Sequence, residues 1–453
     1  MSDADVLLDR ERMRRLFDLR SSVYDSRGGT YADDPYPTFN HLRDCGPVHP
    51  GTPHEALGWT GEVFFQGLPF PDRPHFSAYD FETCSTVFKD DRFRPTDEPR
   101  PGESMLDAGI LSMHGRRHRA YRTLVQPSFV PGRAGWWLER WISTLVARLV
   151  DSFEGEGRVD LNPSFCAPIP LLTITGSFGI SIDEALDVRA AVTSDGRAGD
   201  VLGRMLMPII AARREDPADD LISVLVDAEV IDDDGVVHRL SDEEVLGFSF
   251  LLLAAGSGTT WKQMGITILA LLSHPEALVA ARDKPDFLRS VIEESLRWMP
   301  TDPVFARFAV QDVTLGGVRI PAGSVVHACL AAANRDPSRW EDPDRFDPFR
   351  PLKPHLGFGQ GPHICLGMHV AKAEMAHGIA ALLRRLPGLE LDRNAPPPRM
   401  IGLYERGPDA VPVRFDAGPV RFDAVPVRFD AGPVRFDAGP VRAGRGWTIA
   451  EPP

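Results

Sequence analysis

The stretch HLGFGQGPHICLG, residues 355–367, holds four glycines, one proline and a single cysteine, and an apolar-periodic segment follows it. Gly357, Gly359, Gly361 and Gly367 allow a backbone that turns through positive φ and comes close to a flat ligand. The pattern predicts a helix starting near Leu366. Cys365 then stands at a helix N-terminus, where unpaired N–H groups and the positive end of the dipole lower a thiol's pKa. A thiolate held in this way is a nucleophile or a metal ligand.

Several readings of Cys365 compete. A buried structural cysteine is the ordinary one. Zinc is conceivable because His355, His363, Cys365 and His369 lie close together, but structural zinc takes compactly paired ligands and would leave the glycines without a purpose. A nucleophile needs a base, and His363 could serve, although the pattern fits no protease signature. A single ligand in a loop cleared for a large planar cofactor is what haem with an axial thiolate requires.

Upstream, SDEEVLGFSFLLLAAGSGTTWKQMGITILALLSHP, residues 241–275, reads as one long helix, opened by a Ser241–Glu244 capping box and stopped at His274-Pro275. Thirty-odd residues at the helical rise span roughly 45 Å, enough to cross a whole domain. Glycines and threonines in its middle are poor helix formers, so something local must call for them. A strand–phosphate-loop–helix reading of LLLAAGSGTT fails because no lysine follows the glycines as that motif requires. In RAGWWLERWISTLVARLVDSF, Trp137, Trp141, Leu145 and Leu149 form one helical face, a core-packing stripe. PDFLRSVIEESLRWMP is a further helix. VFARFAV, DVTLGGVRIPAGSVVHACL and PPRMIGLYERGPDAVPVRFDA supply short strands, as does GEVFFQGLPF nearer the start.

With 453 residues, 43% of them hydrophobic, the chain can bury one large core or two ordinary ones. The order of elements is helices with small sheets gathered at the two ends, hence mainly α with small β-sheets. The formal charge of −14 argues against a nucleic-acid footprint. The five cysteines are scattered and odd in number, which speaks against a disulfide framework and for a reducing compartment. The charged start MSDADVLLDRERMRRLFDLR has no apolar signal region, and no apolar run reaches membrane-spanning length, so a cytoplasmic chain without a membrane anchor is expected. From Pro412 a seven-residue unit, PVRFDAG or PVRFDAV, occurs four times and a fifth copy breaks off. Proline in every unit forbids a coiled coil. The first copy alternates Val411, Val413 and Phe415 as a closing strand would, and the later copies read as a disordered extension or as rivals for the same strand slot.

Residues Phe358 to Gly367 resemble the haem-binding signature F-G-x-G-x-H-x-C-L-G of the cytochrome P-450 family. Other segments agree in the family's order. Glu294-Ser295-Leu296-Arg297 resembles its E-x-x-R pair. NRDPSRWEDPDRFDPFR resembles the meander ahead of the cysteine loop, with Arg345 or Arg350 able to complete an ion network. MHGRRHRAYRTLVQPSF resembles the segment whose His118 and Arg122 reach the haem propionates, and PVFARFAVQDVTLGGVRIPAG the strand carrying a propionate arginine, Arg307. The resemblance covers about Tyr36 to Asp416 and implies three regions: an N-terminal extension 1–35, a cytochrome P-450 domain 36–416, and a repeat tail 417–453.

What the resemblance implies is a large helical domain plus a minor β part around a buried haem b, with Cys365 as the iron ligand. Phe358, His363 and Gly367 of the loop, His118, Arg122 and Arg307, and Ala255 and Gly256 of the long helix would hold the cofactor. AAGSGTT, residues 254–260, resembles the family's oxygen-binding groove, in which Thr259 hands on protons. Position 258, ordinarily Asp or Glu, is glycine, so the proton path is expected to run through Ser257, water or a substrate group. That departure leaves peroxide-driven or non-oxygenating haem-thiolate chemistry, or non-catalytic haem binding, beside the leading reading. The leading reading is insertion of one oxygen atom from dioxygen into a mostly apolar small molecule by a monomer fed from a ferredoxin-type donor. Arg116, Arg117, Arg119 and Arg122 offer a basic docking face for that donor. Leu253, Ala254 and Ile401-Gly402-Leu403 are expected to line the substrate pocket. Between Ile180 and Asp219 the sequence reads as one good helix and a remnant, a shortened lid.

Overall fold

The computed structural model describes residues 9–17, 29–60, 70, 72–95, 109–193, 198–231 and 235–418. The repeats from 419 onward and most of GEVFFQGLPF therefore lie outside the described residues.

A 32-residue helix, Asp242–Ser273, is the axis of the molecule. Ser241 and Glu244 form the reciprocal capping box at its start, and the helix runs unbroken through AAGSGTT, which removes the phosphate-loop reading. Trp261, Met264, Ile268 and Leu271 are buried along it and share the main core with Ile292 and Leu296 of the helix Leu288–Trp298 and with Ile379 and Leu382 of the helix Met368–Arg385. The helix Pro168–Gly176 packs beside it as well. Trp137, Leu145 and Leu149 are buried in the same core, with Trp141 partly buried against it, in a helix that carries one π turn at Leu138–Ile142.

A five-stranded sheet flanks this helical body, in the order Val48–Pro50, His75–Ala78, Val325–Ala328, Phe305–Ala309, Phe93–Arg94. Its one parallel pair joins His75–Ala78 to Val325–Ala328. Ala306 and Phe308 turn to one side of the strand Phe305–Ala309, and Arg307, paired with Val326, to the other. A second sheet holds Pro412–Arg414 between Glu390–Leu391 and Arg158–Asp160, and Val411, Val413 and Phe415 are buried. The alternation of the first repeat copy thus reports a closing strand.

The expectation of one helix and a remnant between Ile180 and Asp219 is overturned. Two helices occupy the span, Ile182–Thr193 of 12 residues and Ala198–Glu215 of 18. Gly199, Gly203 and Pro208 argue against the second by propensity, but Leu202, Leu206 and Ile210 at i, i+4 and i+8 are fully buried, and that packing overrides propensity.

Among the described residues no single helix is long and apolar enough to cross a membrane.

Candidate functional site: the cysteine loop and the groove of the long helix

The loop is built from a chain of restraints. Asn334 Oδ1 accepts the Leu356 N–H at 2.7 Å, and His355 Nδ1 accepts the Gly357 N–H at 3.0 Å. The Leu356 carbonyl accepts the Gly359 N–H at 2.8 Å, and the Phe358 carbonyl the Cys365 N–H at 2.9 Å. Gly359 and Gly361 have φ of 68° and 72°, the left-handed region that glycine alone enters without strain. A Cβ on Gly361 would also collide with the Phe88 carbonyl oxygen. Gly361→Ala is therefore expected to destabilise the protein by about 2–4 kcal/mol, combining left-handed strain with a backbone clash, as read by chemical denaturation.

Glu293 ties the two ends of the loop together. It accepts from His355 Nε2 at 3.0 Å and pairs with Lys372 Nζ at 2.6 Å, and Lys372 in turn lies 5.1 Å from the Phe358 ring centre. Burial pushes the Glu293 carboxyl up, but the His355 hydrogen bond and the Lys372 charge together outweigh it and bring it down to about 2. A depressed acid contributes stability that is full above its unfolded value of 4.5 and is lost as pH falls toward 2. Glu293→Gln should therefore flatten the acid limb of the stability profile between those limits by about 2–3 kcal/mol, measured by denaturation midpoints against pH.

Behind the loop lies the E-x-x-R pair. Arg297 Nε and Nη2 donate to the two Glu294 oxygens at 2.8 and 2.7 Å, and its remaining donors reach the carbonyls of Asn334, Pro343 and Arg345. Arg350 Nε completes the network on Glu294 Oε1 at 3.0 Å. Of the two arginines open to that role, Arg350 brings its side chain, while Arg345 lends its carbonyl oxygen.

Cys365 is accessible yet enclosed by surrounding chain, so it opens inward. The expected lowering of its pKa is corrected. Burial raises the free thiol and outweighs the Gly367 N–H and the Arg122 charge that oppose it. The helix begins at Met368 with Gly367 as its cap, two residues later than the sequence indicates, which weakens the dipole at the sulfur. His355 turns to Glu293, and among the described residues no group of three or more His, Cys, Asp or Glu could hold a metal ion, so the zinc set does not assemble.

The arginines and histidines named in the sequence do converge. His118 and Arg122, one turn apart on the helix Gly115–Val125, face inward, while Arg116, Arg117 and Arg119 are exposed. The His118 and His363 rings stand 3.9 Å apart between centroids, and Arg122 Nη2 donates to the Ile364 carbonyl at 2.6 Å. Burial, then the charges of Arg122, Arg119 and Arg307, pull His118 down to about 4. Burial, then His118, Arg307 and Arg122, bring His363 to about 2. Burial alone takes Arg307 to about 10, and its Nη1 bonds only the Ala306 carbonyl. His118 Nε2 is buried with no partner among the described residues. Two arginines and two histidines thus share one region with no carboxylate bonded to them among the described residues, a donor set suited to an acidic group brought by a ligand. A flat cofactor bearing carboxylates fits this set, and Cys365 supplies a soft ligand beside it.

On the long helix Ala255, Gly256 and Thr259 are accessible in the middle of an otherwise buried element. Thr259 Oγ1 donates to the Ala255 carbonyl at 3.2 Å. Ser257 is buried, about half a turn round from Thr259, on the side of Leu253 and Trp261. Ile401, Gly402 and Leu403 are buried in the hairpin near the helix, and Gly402 donates its N–H to the Tyr31 carbonyl. Sequence reasoning missed Glu405, Asp302 and Lys262. Lys262, on the long helix, pairs with Glu405 of the same hairpin, and burial and the Glu405 charge raise the Asp302 carboxyl to about 7. No spacing rule links positions so far apart.

Comparison with known proteins agrees with this geometry. The family model described as Cytochrome P-450 matches residues 197–405. The chain is 34% identical over 405 residues to the cytochrome P-450 monooxygenase PikC of Streptomyces venezuelae, an alignment covering 86% of this chain and 92% of that one. It is 35% identical over 311 residues to 6-deoxyerythronolide B hydroxylase of Saccharopolyspora erythraea, covering 66% and 76%. Among solved structures, cytochrome P-450 CYP109Q5 of Chondromyces apiculatus superposes with a TM-score of 0.71 at 29% identity, over 85% of this chain and 96% of that one. A thiol beside a cluster of two arginines and two histidines, in a chain alike over most of its length to these enzymes, marks it as a member of the cytochrome P-450 family, a haem b monooxygenase.

Proposed function

We propose that the chain inserts one oxygen atom from dioxygen into a mostly apolar small molecule, using electrons from a separate ferredoxin-type donor. Haem b, when bound, supplies the redox chemistry that activates dioxygen. Residues 36–416 form the catalytic domain in this reading, working as a monomer in the cytoplasm. Cys365 would hold the haem iron through its sulfur, as a thiolate despite the raised pKa of the free thiol. Phe358 and Gly367 shape the loop around it. His118, Arg122, Arg307 and His363 hold the two propionates, and Ala255 and Gly256 leave room over the ring. Thr259 Oγ1 handles protons; Ser257, buried about half a turn away, is turned from it together with Leu253. Ala254 and the hairpin Ile401–Leu403 bound the substrate space. The exposed Arg116, Arg117 and Arg119 form a positive face suited to an acidic donor protein.

The observation that carries this reading is the cluster of two arginines and two histidines with no bonded acid among the described residues, centred on the unpartnered His118 Nε2. Peroxide-driven chemistry is the second reading, favoured by Gly258 in the place of an acid. Turnover of a spin-state-shifting ligand with NAD(P)H, ferredoxin and its reductase, against turnover with hydrogen peroxide, separates them. Dependence on the reductant is expected, and strong product formation with peroxide alone would reverse the order.

A further inference from the structure

Gly258 is a gap in the sequence that the fold fills from elsewhere. A Cβ built on Gly258 would stand 3.4 and 3.5 Å from the two carboxylate oxygens of Glu405. Glu405 arrives on the hairpin Met400–Ile401/Gly407–Pro408, which docks along one stripe of the long helix. At Gly265 a Cβ would meet Pro408 at 2.9 Å, and at Gly407 one would meet Lys262 Cβ at 2.8 Å. The approach is thus close enough to require glycine on both partners. Lys262, four residues on from Gly258 and hence on the same face, pairs with Glu405 through Nζ. The hairpin is also tied to the segment bearing Asp302: the Arg406 N–H donates to the Thr301 carbonyl at 2.6 Å, and Thr301 Oγ1 donates to the Arg406 carbonyl at 2.8 Å.

We propose that Glu405 takes the place of the carboxylate that position 258 lacks, and that Glu405 and Asp302, held by Lys262, feed protons to the Thr259 hydroxyl. Three features distinguish this from an ordinary structural ion pair. Glu405 adopts φ of 47°, a conformation that non-glycine residues hold under strain and that clusters at functional sites. Lys262 pairs with Glu405 and its charge acts on Asp302 as well, so two acids depend on one lysine and one of them keeps a proton readily. Burial and the Glu405 charge raise Asp302 to about 7, against Lys262 and the Glu405 N–H, so it exchanges its proton near neutrality.

The proton balance is simple. Inserting one oxygen atom and reducing the other to water consumes two electrons, which the redox donor supplies, and two protons. In each transfer the Asp302 carboxyl gives up its proton toward Thr259 Oγ1, Thr259 passes on its own hydrogen, and the Asp302 carboxylate is reprotonated from solvent while Glu405 and Lys262 hold it in place. The residues are unchanged over the cycle.

This inference rests on the role of Thr259 proposed above, and the test separates the two. Dithionite-reduced, haem-loaded protein is mixed with dioxygen in H2O and in D2O across pH, and its decay is followed optically. For the wild type, decay should slow as pH rises through about 7 and show a solvent isotope effect. The charged groups acting on Asp302 in that range are Glu405 of the hairpin and Lys262 of the long helix. Glu405→Gln should slow decay at least about tenfold and move the inflection to lower pH, because Lys262 then acts on Asp302 unopposed. Asp302→Asn, which leaves the Lys262–Glu405 pair in place, should abolish the inflection. Gly258→Asp combined with Glu405→Gln returns a carboxylate to the helix, four residues before Lys262, and should restore the rate to within about threefold.

Unchanged decay in both single variants, with the reduced carbon monoxide spectrum intact, would overturn the inference. If Glu405→Gln fails to fold, Asp302→Asn and infrared titration of the resting wild type still decide the matter, and a cluster in which every carboxyl titrates below 5 overturns it. Thr259→Ala with wild-type decay would instead remove the role assigned to Thr259, and the titration would still report the cluster.

Discussion

Cys365→Ala is expected to abolish the thiolate signature in the absorption spectrum of the reduced, carbon monoxide-bound protein, and with it reductant-driven oxygen insertion. The loss follows from the way the loop is made. Its backbone is fixed by bonds that do not use the sulfur, from Leu356 to Asn334, from Gly359 to Leu356 and from Cys365 to Phe358. Alanine therefore leaves the loop standing and removes only the ligand. The two arginines and two histidines of the cluster remain, so the variant should still take up haem, more weakly and with a spectrum of imidazole or water coordination. Loss of every spectral sign of haem would point to a larger role for the sulfur in binding, and a retained thiolate band would remove Cys365 from the iron altogether.

Glu294→Ala should cost about 3–5 kcal/mol, because removing one partner of a buried ion pair leaves the other charge unpaired. The pair is 3% and 2% exposed, so solvent cannot take over. All five N–H donors of Arg297 are engaged. One of them grips the Asn334 carbonyl, while the Asn334 side chain holds Leu356 at the entrance to the cysteine loop. Arg350 and the Asp347 N–H would lose the same carboxylate. The effect should therefore reach the haem. Guanidinium denaturation of the loaded protein would show both the lower midpoint and earlier loss of the cofactor. Glu294→Gln, which keeps the shape and one acceptor, should lose less.

Legibility of this chain in its sequence follows the distance over which each feature is decided. The capping box of Ser241 and Glu244, the i,i+4 pair His118 and Arg122 and the i,i+3 pair Glu294 and Arg297 are settled within one helical turn, and each is found where its spacing puts it. The choice of Arg350 over Arg345 depends on how the meander folds back on Glu294, which no local rule encodes. That two full helices fill the span from Ile180 to Asp219 was not legible, because propensity at Gly199, Gly203 and Pro208 speaks locally, whereas the burial of Leu202, Leu206 and Ile210 depends on neighbours supplied by the rest of the fold. Glu405 is the extreme case. It meets Gly258 and Lys262 across some 140 positions of chain, and the sequence shows only the glycine that makes room for it.

The strand Pro412–Arg414 occupies the middle of its sheet, with both edges already paired. Another copy of the same heptapeptide cannot join as a neighbour there; it can only substitute. Since the unit after residue 418 begins again with PVRFDA, loss of one unit by slippage during gene copying would deliver the same six residues after Val411. The reiteration thus makes the last strand of the domain indifferent to the commonest mutation that a tandem repeat suffers.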